Sequence, residues 1–422
     1  MMVSEALLSV SEALERLLTE FRPLESEAVA IEDALGRILA EPVAASLDLP
    51  PFANSSMDGY AVHAADVASA GPGSPVALRV IGDIPAGARP SATPLPMGAA
   101  ARIMTGAPMP PGADAIVPIE ATDDSRSSGG APPPPVVGIL AGVRPGANVR
   151  LPGEDARAGD LALPAGQLIR PAAIGLMAAL GVAQVSVVCR PRVAILSTGD
   201  ELAEPGQPLE PGQIRDSNSY ALAGLVSAYG GRPIRLGRTP DRLDSVRQRL
   251  RAARESGADL IISSAGVSVG AFDVVRRALM EDGSLEFWRV NVRPGKPIAF
   301  GRVHGVPFLG LPGNPVSAIV TFEVFARPAI LKMGGHTALD KPAVQVRLDE
   351  ALTSDGRESY LRAVVRRDAS GYSARLTGGQ GSNLITSLTR ANALLVIPSG
   401  VRQVAAGTAL TAWMLDWPEE VF

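Results

Sequence analysis

The 422-residue chain is poor in the residue types that most often carry chemistry. It has one cysteine, Cys189, so no internal disulfide can form, and a reducing, cytoplasmic setting is the simpler expectation. Its three histidines, His63, His304 and His336, with that one cysteine, argue against a closed zinc site. A metal would need oxygen ligands, which points to magnesium. Aromatics are only 4%, against 44 glycines and 37 prolines, a balance that favours small modules joined by tight turns. Net charge is -4, so no basic field draws in nucleic acid. The N-terminus carries Glu5, Glu12 and Glu15 and lacks the basic region of a signal peptide. The longest uncharged stretch, Pro171 to Cys189, includes Gln184 and Ser186 and reads as a buried helix and a strand, not a membrane span.

Apolar periodicity predicts an amphipathic helix over residues 4–20, with Leu7, Leu8, Leu14, Leu17 and Leu18 on one side, and a short helix over Ile31–Leu39 before Pro42. Residues 44–155 change character. Short strands such as Val76–Ile81 and Ala115–Pro118 alternate with Gly/Pro turns, the pattern of a small β-rich domain. Within it "DDSRSSGGAPPPP" (123–135) reads as a mobile hairpin tip that cannot pack. From Val187 strands and helices alternate: a strand at Val193–Leu196, helices over Ser219–Tyr229 and Leu243–Glu255, a strand at Leu260, a helix ending near Met280, a strand at Phe308–Leu311 and a helix ending near Leu331. Such alternation predicts a parallel sheet covered on both faces, with ligands at the carboxyl ends of its strands. After Gly335 the runs "AVQVRLDE", "SYLRAVVRR", "YSARLTG" and "ALLVIPS" predict a small C-terminal β-barrel or sandwich.

Three segments share one plan. "ILSTGDEL" (195–202), "IISSAGVSVGAFD" (261–273) and "FLGLPGNPVSA" (308–318) each pass from an apolar strand into a loop of small polar residues. On parallel strands these loops would open on one edge. There, free backbone N–H groups and helix starts favour a phosphate. Ser263, Ser264, Ser268 and Ser317 add hydroxyls, and Gly266, Gly270 and Gly313 admit close backbone approach. Neither a Walker A loop nor a dinucleotide fingerprint is present there. Carboxylates punctuate the same edge: Asp200, Glu201, Asp216, Asp241 and Asp273. Beside a phosphate they repel the ligand unless a cation such as Mg²⁺ intervenes; singly, Asp273 could be only a helix cap. Strand alternation in "FWRVNVR" puts Arg289, Asn291 and Arg293 on one face, and Lys296 follows in the turn "RPGKP", a set suited to an oxyanion. A competing reading takes "GVSVG" (266–270) as a hydrolase nucleophile elbow with Ser268 as nucleophile. It needs a downstream histidine, and only His304, in a turn-like "RVHGVPF", and His336 qualify.

Together, "SSAGVSVGAFD", "STGDEL", "GQIRDSNSY" and "GLPGNPVSA" resemble the molybdopterin-binding domain of molybdenum cofactor biosynthesis proteins. "PFANSSMDGYAV" (51–62), "ARIMTGAPMPPGADAIVPIE" (101–120) and "VRLPGEDARAGD" (149–160) narrow the resemblance to the MoeA-type molybdopterin molybdenumtransferases, whose animal counterpart is the E-domain of gephyrin. Single-domain MogA-type adenylyltransferases lack these segments. The resemblance covers nearly the whole chain.

The resemblance implies a multidomain α/β and β fold. Residues 1–43 with 156–185 would form a discontinuous N-terminal helical domain, 44–155 an inserted β-rich domain, 186–335 a MogA-like α/β molybdopterin-binding domain, and 336–422 a C-terminal β-barrel. It also implies a homodimer whose active site lies between the α/β domain of one subunit and the β-rich domain of the other. The implied reaction consumes adenylyl-molybdopterin and molybdate, assisted by Mg²⁺; AMP is released and the metal joins the dithiolene sulfurs. A molybdopterin adenylyltransferase and apo-molybdoenzymes or their chaperones would be partners.

Matched residue by residue, Asp58, Thr105 and Asp155 carry over as functional groups of the first half, and Glu201, Asp241 and Asp273 as the α/β carboxylates, with Glu201 and Asp273 as metal ligands. The small-residue loops, with Pro312, Gly313 and Asn314 of "LPGNP", would meet the substrate. Arg293 and Lys296 match the family's basic turn, and Arg357 of "GRESY" and Ser382 of "GGQGSN" match barrel-side positions that would meet molybdate. Taken alone, Asp58 and Asp155 could instead be turn formers, and Thr105 and Asp241 caps. This chain has Ala265-Gly266 where two glycines are usual, and Arg289 and Arg293 where lysines are common. Two other readings are a gephyrin-like scaffold that acts by binding partners, and a family member that prefers tungstate or tailors the pterin.

Overall fold

The computed structural model describes residues 7–124, 132–264, 277, 278, 281 and 283–416. At its centre lies a six-stranded sheet in the order Arg232–Thr239, Arg192–Thr198, Leu260–Ser264, Val306–Leu311, Pro297–Val303, Gly283–Arg289. The first four strands run parallel, and Pro297–Val303 runs against both its neighbours. The sheet is therefore parallel-rich rather than wholly parallel. The two-residue turn His304-Gly305, with φ of 49° and 84°, explains the reversal: left-handed residues at both central positions fold the chain straight back. Alternation along the strands splits the core. Val193, Ile195, Leu260, Ile262 and Leu309 pack on one face, against the helix Asn218–Ala228, while Ala194, Leu196, Ile261 and Phe308 pack on the other, against the helix Leu243–Glu255.

The first helix spans Val10–Thr19 and starts later than periodicity predicts. Ser9 and Glu12 form a capping box that fixes its start, and Leu8 instead forms a bridge with Val290. Its buried face, Val10, Ala13 and Leu17, joins the α/β core. The helix expected over Ile31–Leu39 is only a turn, Ile31–Asp33. Gly36, at φ +74°, breaks it, and Ile38 and Leu39 then bridge to Leu168 and Val187. The uncharged stretch forms the helix Pro171–Ala179 and the strand Gln184–Val188, which pairs with Ser26–Ala30, but the helix is not buried as expected: only Ala173 and Met177 are buried, and Pro171, Ala172, Gly175, Ala178 and Ala179 are exposed. Among the described residues no helix is long and apolar enough to cross a membrane.

A five-stranded sheet in the order Ala115–Pro118, Gly59–Val62, Ala99–Ile103, Val76–Ile84, Val136–Ile139 organises the β-rich segment. Of the stretch 123–135, residues 125–131 lie outside the described residues. Its first residues are anchored, contrary to the expectation that the whole stretch cannot pack: Asp123 accepts a hydrogen bond from the Gly138 N–H, and buried Asp124 accepts one from the Tyr60 hydroxyl.

The C-terminal segment is a closed barrel of Glu358–Asp368, Gly371–Leu376, Ala343–Leu348, Ala409–Met414 and Ala393–Ile397, the last pairing back to the first. The strand expected through "FWRVNVR" stops at Arg289; Val292–Arg293 then pairs with Glu358–Ser359 of the barrel. The alternation survives, because Val290 and Val292 are the buried members. The chain thus carries Arg293 from the sheet onto the barrel.

Candidate active site

Ser197, Ser264 and Leu311 lie in register at the carboxyl ends of neighbouring parallel strands. The chain beyond these ends lines one side of a cleft of about 850 Å³, within the usual size of small-molecule sites. The barrel supplies the opposite wall, with Arg357 and Gln380–Asn383. Asn218 ties the first side together: its Nδ2 donates to Ser264 Oγ at 2.6 Å and to the Gly313 carbonyl at 2.7 Å. The barrel wall is seated on the start of the helix Pro315–Thr321. Val316 N–H donates to the Ser382 carbonyl at 3.1 Å, and Asn314 Nδ2 to Ser382 Oγ at 3.0 Å.

The cleft has a basic end. Arg357 donates through Nε (3.0 Å) and Nη2 (2.6 Å) to one Asp355 oxygen, which lies 3.6 Å from Arg293. These hydrogen bonds and the neighbouring arginine charges hold the Asp355 carboxyl down to about 2. Lys296 also lines the cleft, and among the described residues its ammonium has no ion pair. Asp355 is shared by Arg293 and Arg357, and Lys296 adds a third cation to this end of the lining. Gly295, at φ +108°, is needed in this turn: a Cβ there would lie 2.3 Å from Thr321 Cγ2.

Behind the basic wall sits Arg362, fully buried. Its Nε donates to Ser387 Oγ at 2.9 Å, and its Nη2 to the carbonyls of Gly379 (3.3 Å) and Gly381 (2.9 Å). Burial first, then repulsion from Arg293, pushes its pKa down to about 10.

An acidic group stands elsewhere on the edge. Glu201 lines the cleft, and its carboxylate lies over Gly199, where a Cβ would come within 2.5 Å of Oε2. Asp241 donates its N–H to Asp200 Oδ1 at 3.3 Å. Burial, then the charges of Asp200 and Glu201, raises the Asp241 carboxyl, and its Oδ1 is buried without a partner. Clustered carboxylates with an orphaned oxygen suit a hard cation. Among the described residues no three ligating groups converge on one point.

The cleft collects many of the residues singled out from sequence: Glu201, Ser264, Arg293, Lys296, Pro312, Gly313, Asn314, Ser317, Arg357 and Ser382 all line it. Ser263 is buried in its strand and does not. Asp241 stands beside Asp200, outside the lining. Gly266, Ser268, Gly270 and Asp273, with Ala265, lie outside the described residues. Asp58, Thr105 and Asp155 belong to the β-rich segment and line no part of this cleft. There Asp58 Oδ1 accepts the Thr105 N–H and hydroxyl, both at 2.7 Å, and these bonds lower its pKa. Asp155 is exposed. Sequence reasoning passed over Asn218, Gln380, Asp355 and Arg362. Asn218 stood in a quoted motif, "RDSNSY", but nothing in sequence tells a bridging amide from a helix cap. The hydrolase reading loses His304, which sits at the turn before Val306, at the opposite end of that strand from the cleft.

Three family models match the chain in order. They are described as the MoeA N-terminal region (domain I and II), over residues 8–181, a probable molybdopterin binding domain, over 194–332, and the MoeA C-terminal region (domain IV), over 345–415. The chain belongs to the MoeA family. Among its MoeA-family relatives, a molybdopterin molybdenumtransferase 2 of Mycobacterium tuberculosis is 44% identical over 395 residues, 92% of this chain and 94% of that protein. A molybdopterin molybdenumtransferase of Nostoc is 42% identical, over 91% and 87% of the two chains. The crystal structure of a molybdopterin biosynthesis MoeA protein from Pyrococcus horikoshii superposes with a TM-score of 0.79 at 29% identity, over 97% of this chain and all of that one. The fold of this MoeA-family member is thus shared along almost its full length.

Proposed function

We propose that this protein is a molybdopterin molybdenumtransferase of molybdenum cofactor biosynthesis, which takes adenylyl-molybdopterin and molybdate, releases AMP and leaves molybdenum on the dithiolene sulfurs. The observation that carries the reading is the two-ended cleft, basic at Arg293, Lys296 and Arg357 and acidic at Glu201. Relatives named for this activity match nearly the whole chain.

The Ser264 and Ser317 hydroxyls and the backbone of Pro312–Asn314 bind and orient the phosphate and pterin part of the substrate. Gly266, Ser268 and Gly270 belong to the same substrate loop, into which the strand carrying Ser263 leads. Arg293, Lys296, Arg357 and Ser382 hold the oxyanion. Glu201, Asp241 and Asp273 would hold magnesium, which when bound neutralises phosphate charge. Asp58, kept ionised by Thr105, and Asp155 reach the cleft from the β-rich domain of a second subunit. The protein works as a cytoplasmic homodimer, alongside a molybdopterin adenylyltransferase and the recipient apo-molybdoenzymes. Molybdate-dependent AMP release tests the reaction. Mixing tests the shared site: co-expressed Asp58→Asn and Glu201→Gln chains, each inactive alone, should recover roughly a quarter of the wild-type rate through mixed dimers. No recovery would argue against a site built from two subunits.

A further inference from the structure

Arg362 is the one fully buried cation beside the oxyanion end, and among the described residues it has no carboxylate partner. An unpaired buried charge is expensive, and a protein ordinarily pairs it. Here it is spent on neutral acceptors. The side chain holds the carbonyls of Gly379 and Gly381, while the Arg362 N–H donates to Gln380 Oε1 at 2.9 Å and the Arg362 carbonyl accepts from the Thr377 N–H at 3.1 Å. One residue therefore shapes the segment 377–381, which leads directly into Ser382 at the cleft. Among the described residues Nη1 donates no hydrogen bond. An anion in the cleft would offset this cost by direct attraction, which a low-dielectric surrounding strengthens.

We propose that Arg362 is a positioning residue for the oxyanion: it sets the Gly379–Ser382 wall and adds a buried, uncompensated positive charge behind Arg293 and Arg357, so that oxyanion binding and barrel order are coupled. Burial first, and the charge of Arg293 second, lower its pKa. This inference rests on the reading of the basic end as the molybdate site.

The test is calorimetric titration of the intact protein with sodium molybdate, run on wild type, Arg362→Lys and Arg362→Met. Arg362→Met should weaken molybdate binding about tenfold or more, Arg362→Lys should recover part of that loss through charge alone, and the KM for adenylyl-molybdopterin should move less than twofold in either. Equal binding by wild type and Arg362→Met overturns the proposal, as does an Arg362→Lys variant no better than Arg362→Met. Should Arg362→Met fail to fold, hydrogen exchange on wild type decides: molybdate should slow exchange in residues 358–383, and an unchanged rate there overturns the coupling. Wild type that binds no molybdate removes the reading of the basic end, and this proposal with it; wild type that binds molybdate as well as Arg362→Met does removes only the proposal.

Discussion

Asn218 Nδ2 bridges Ser264 Oγ and the Gly313 carbonyl, at 2.6 and 2.7 Å, and so fixes two of the three strand-end loops to the start of a helix. Asn218→Ala leaves both acceptors without that donor, and Asn218→Asp replaces donors with a charge. Positioning at this scale is worth about 2–3 kcal/mol, so kcat/KM for AMP release should fall roughly a hundredfold. A fall of less than threefold in Asn218→Ala, at unchanged Tm, would remove Asn218 from the account.

Asp58 and Thr105 form a second pair. Thr105 lowers the Asp58 pKa through its N–H first and its hydroxyl second. A depressed carboxylate stabilises the fold above its unfolded value, about 3.9, and that stability is lost as pH falls through the lower folded value. Thr105→Val keeps the N–H and removes the hydroxyl, so the Asp58 pKa should rise part of the way back. Carboxyl NMR titration checks this, and an unmoved pKa contradicts the pairing.

Asp241 has the opposite sign. Burial and the charges of Asp200 and Glu201 raise its pKa. For an acid with a raised folded pKa, stability falls as pH climbs past the unfolded value, and the full destabilisation is reached above the folded one. Asp241→Asn should therefore raise Tm at neutral pH by a few degrees in metal-free buffer, and weaken Mg²⁺-induced stabilisation. A lower Tm would show that the cluster is not frustrated.

Glu323, Lys341 and Tyr229 form a buried network where the chain enters the barrel. Lys341 Nζ lies 2.8 Å from Glu323 Oε2, and Tyr229 donates to both Glu323 oxygens, at 2.8 and 2.9 Å. Arg327 Nε also lies 3.8 Å from Glu323 Oε2, so Lys341→Met removes the nearer of two buried cations, whereas Glu323→Gln leaves Lys341 and Arg327 without the carboxylate they share. Glu323→Gln should therefore lower Tm more than Lys341→Met. A Glu323→Gln variant as stable as Lys341→Met would contradict this account of the network.

Much of this was legible in the sequence. The strand Leu260–Ser264 announced itself as an apolar run meeting small polar residues, and Ala115–Pro118 and Leu243–Glu255 fall where alternation and a heptad-like face place them. What was not legible depends on other parts of the chain. Leu8 has the same local pattern as Leu17, yet it bridges to Val290 because Ser9 and Glu12 start the helix after it. Arg362 looks like any basic residue on an alternating strand; only the closed barrel, which buries it against the 377–381 segment, gives it a role.

The central claim is tested most directly by incubating the purified protein with adenylyl-molybdopterin and Mg²⁺, with and without molybdate, and quantifying AMP. The account predicts AMP release that requires molybdate and yields a cofactor able to activate an apo-molybdoenzyme. No AMP in either arm, or equal AMP in both with no active cofactor, would contradict it.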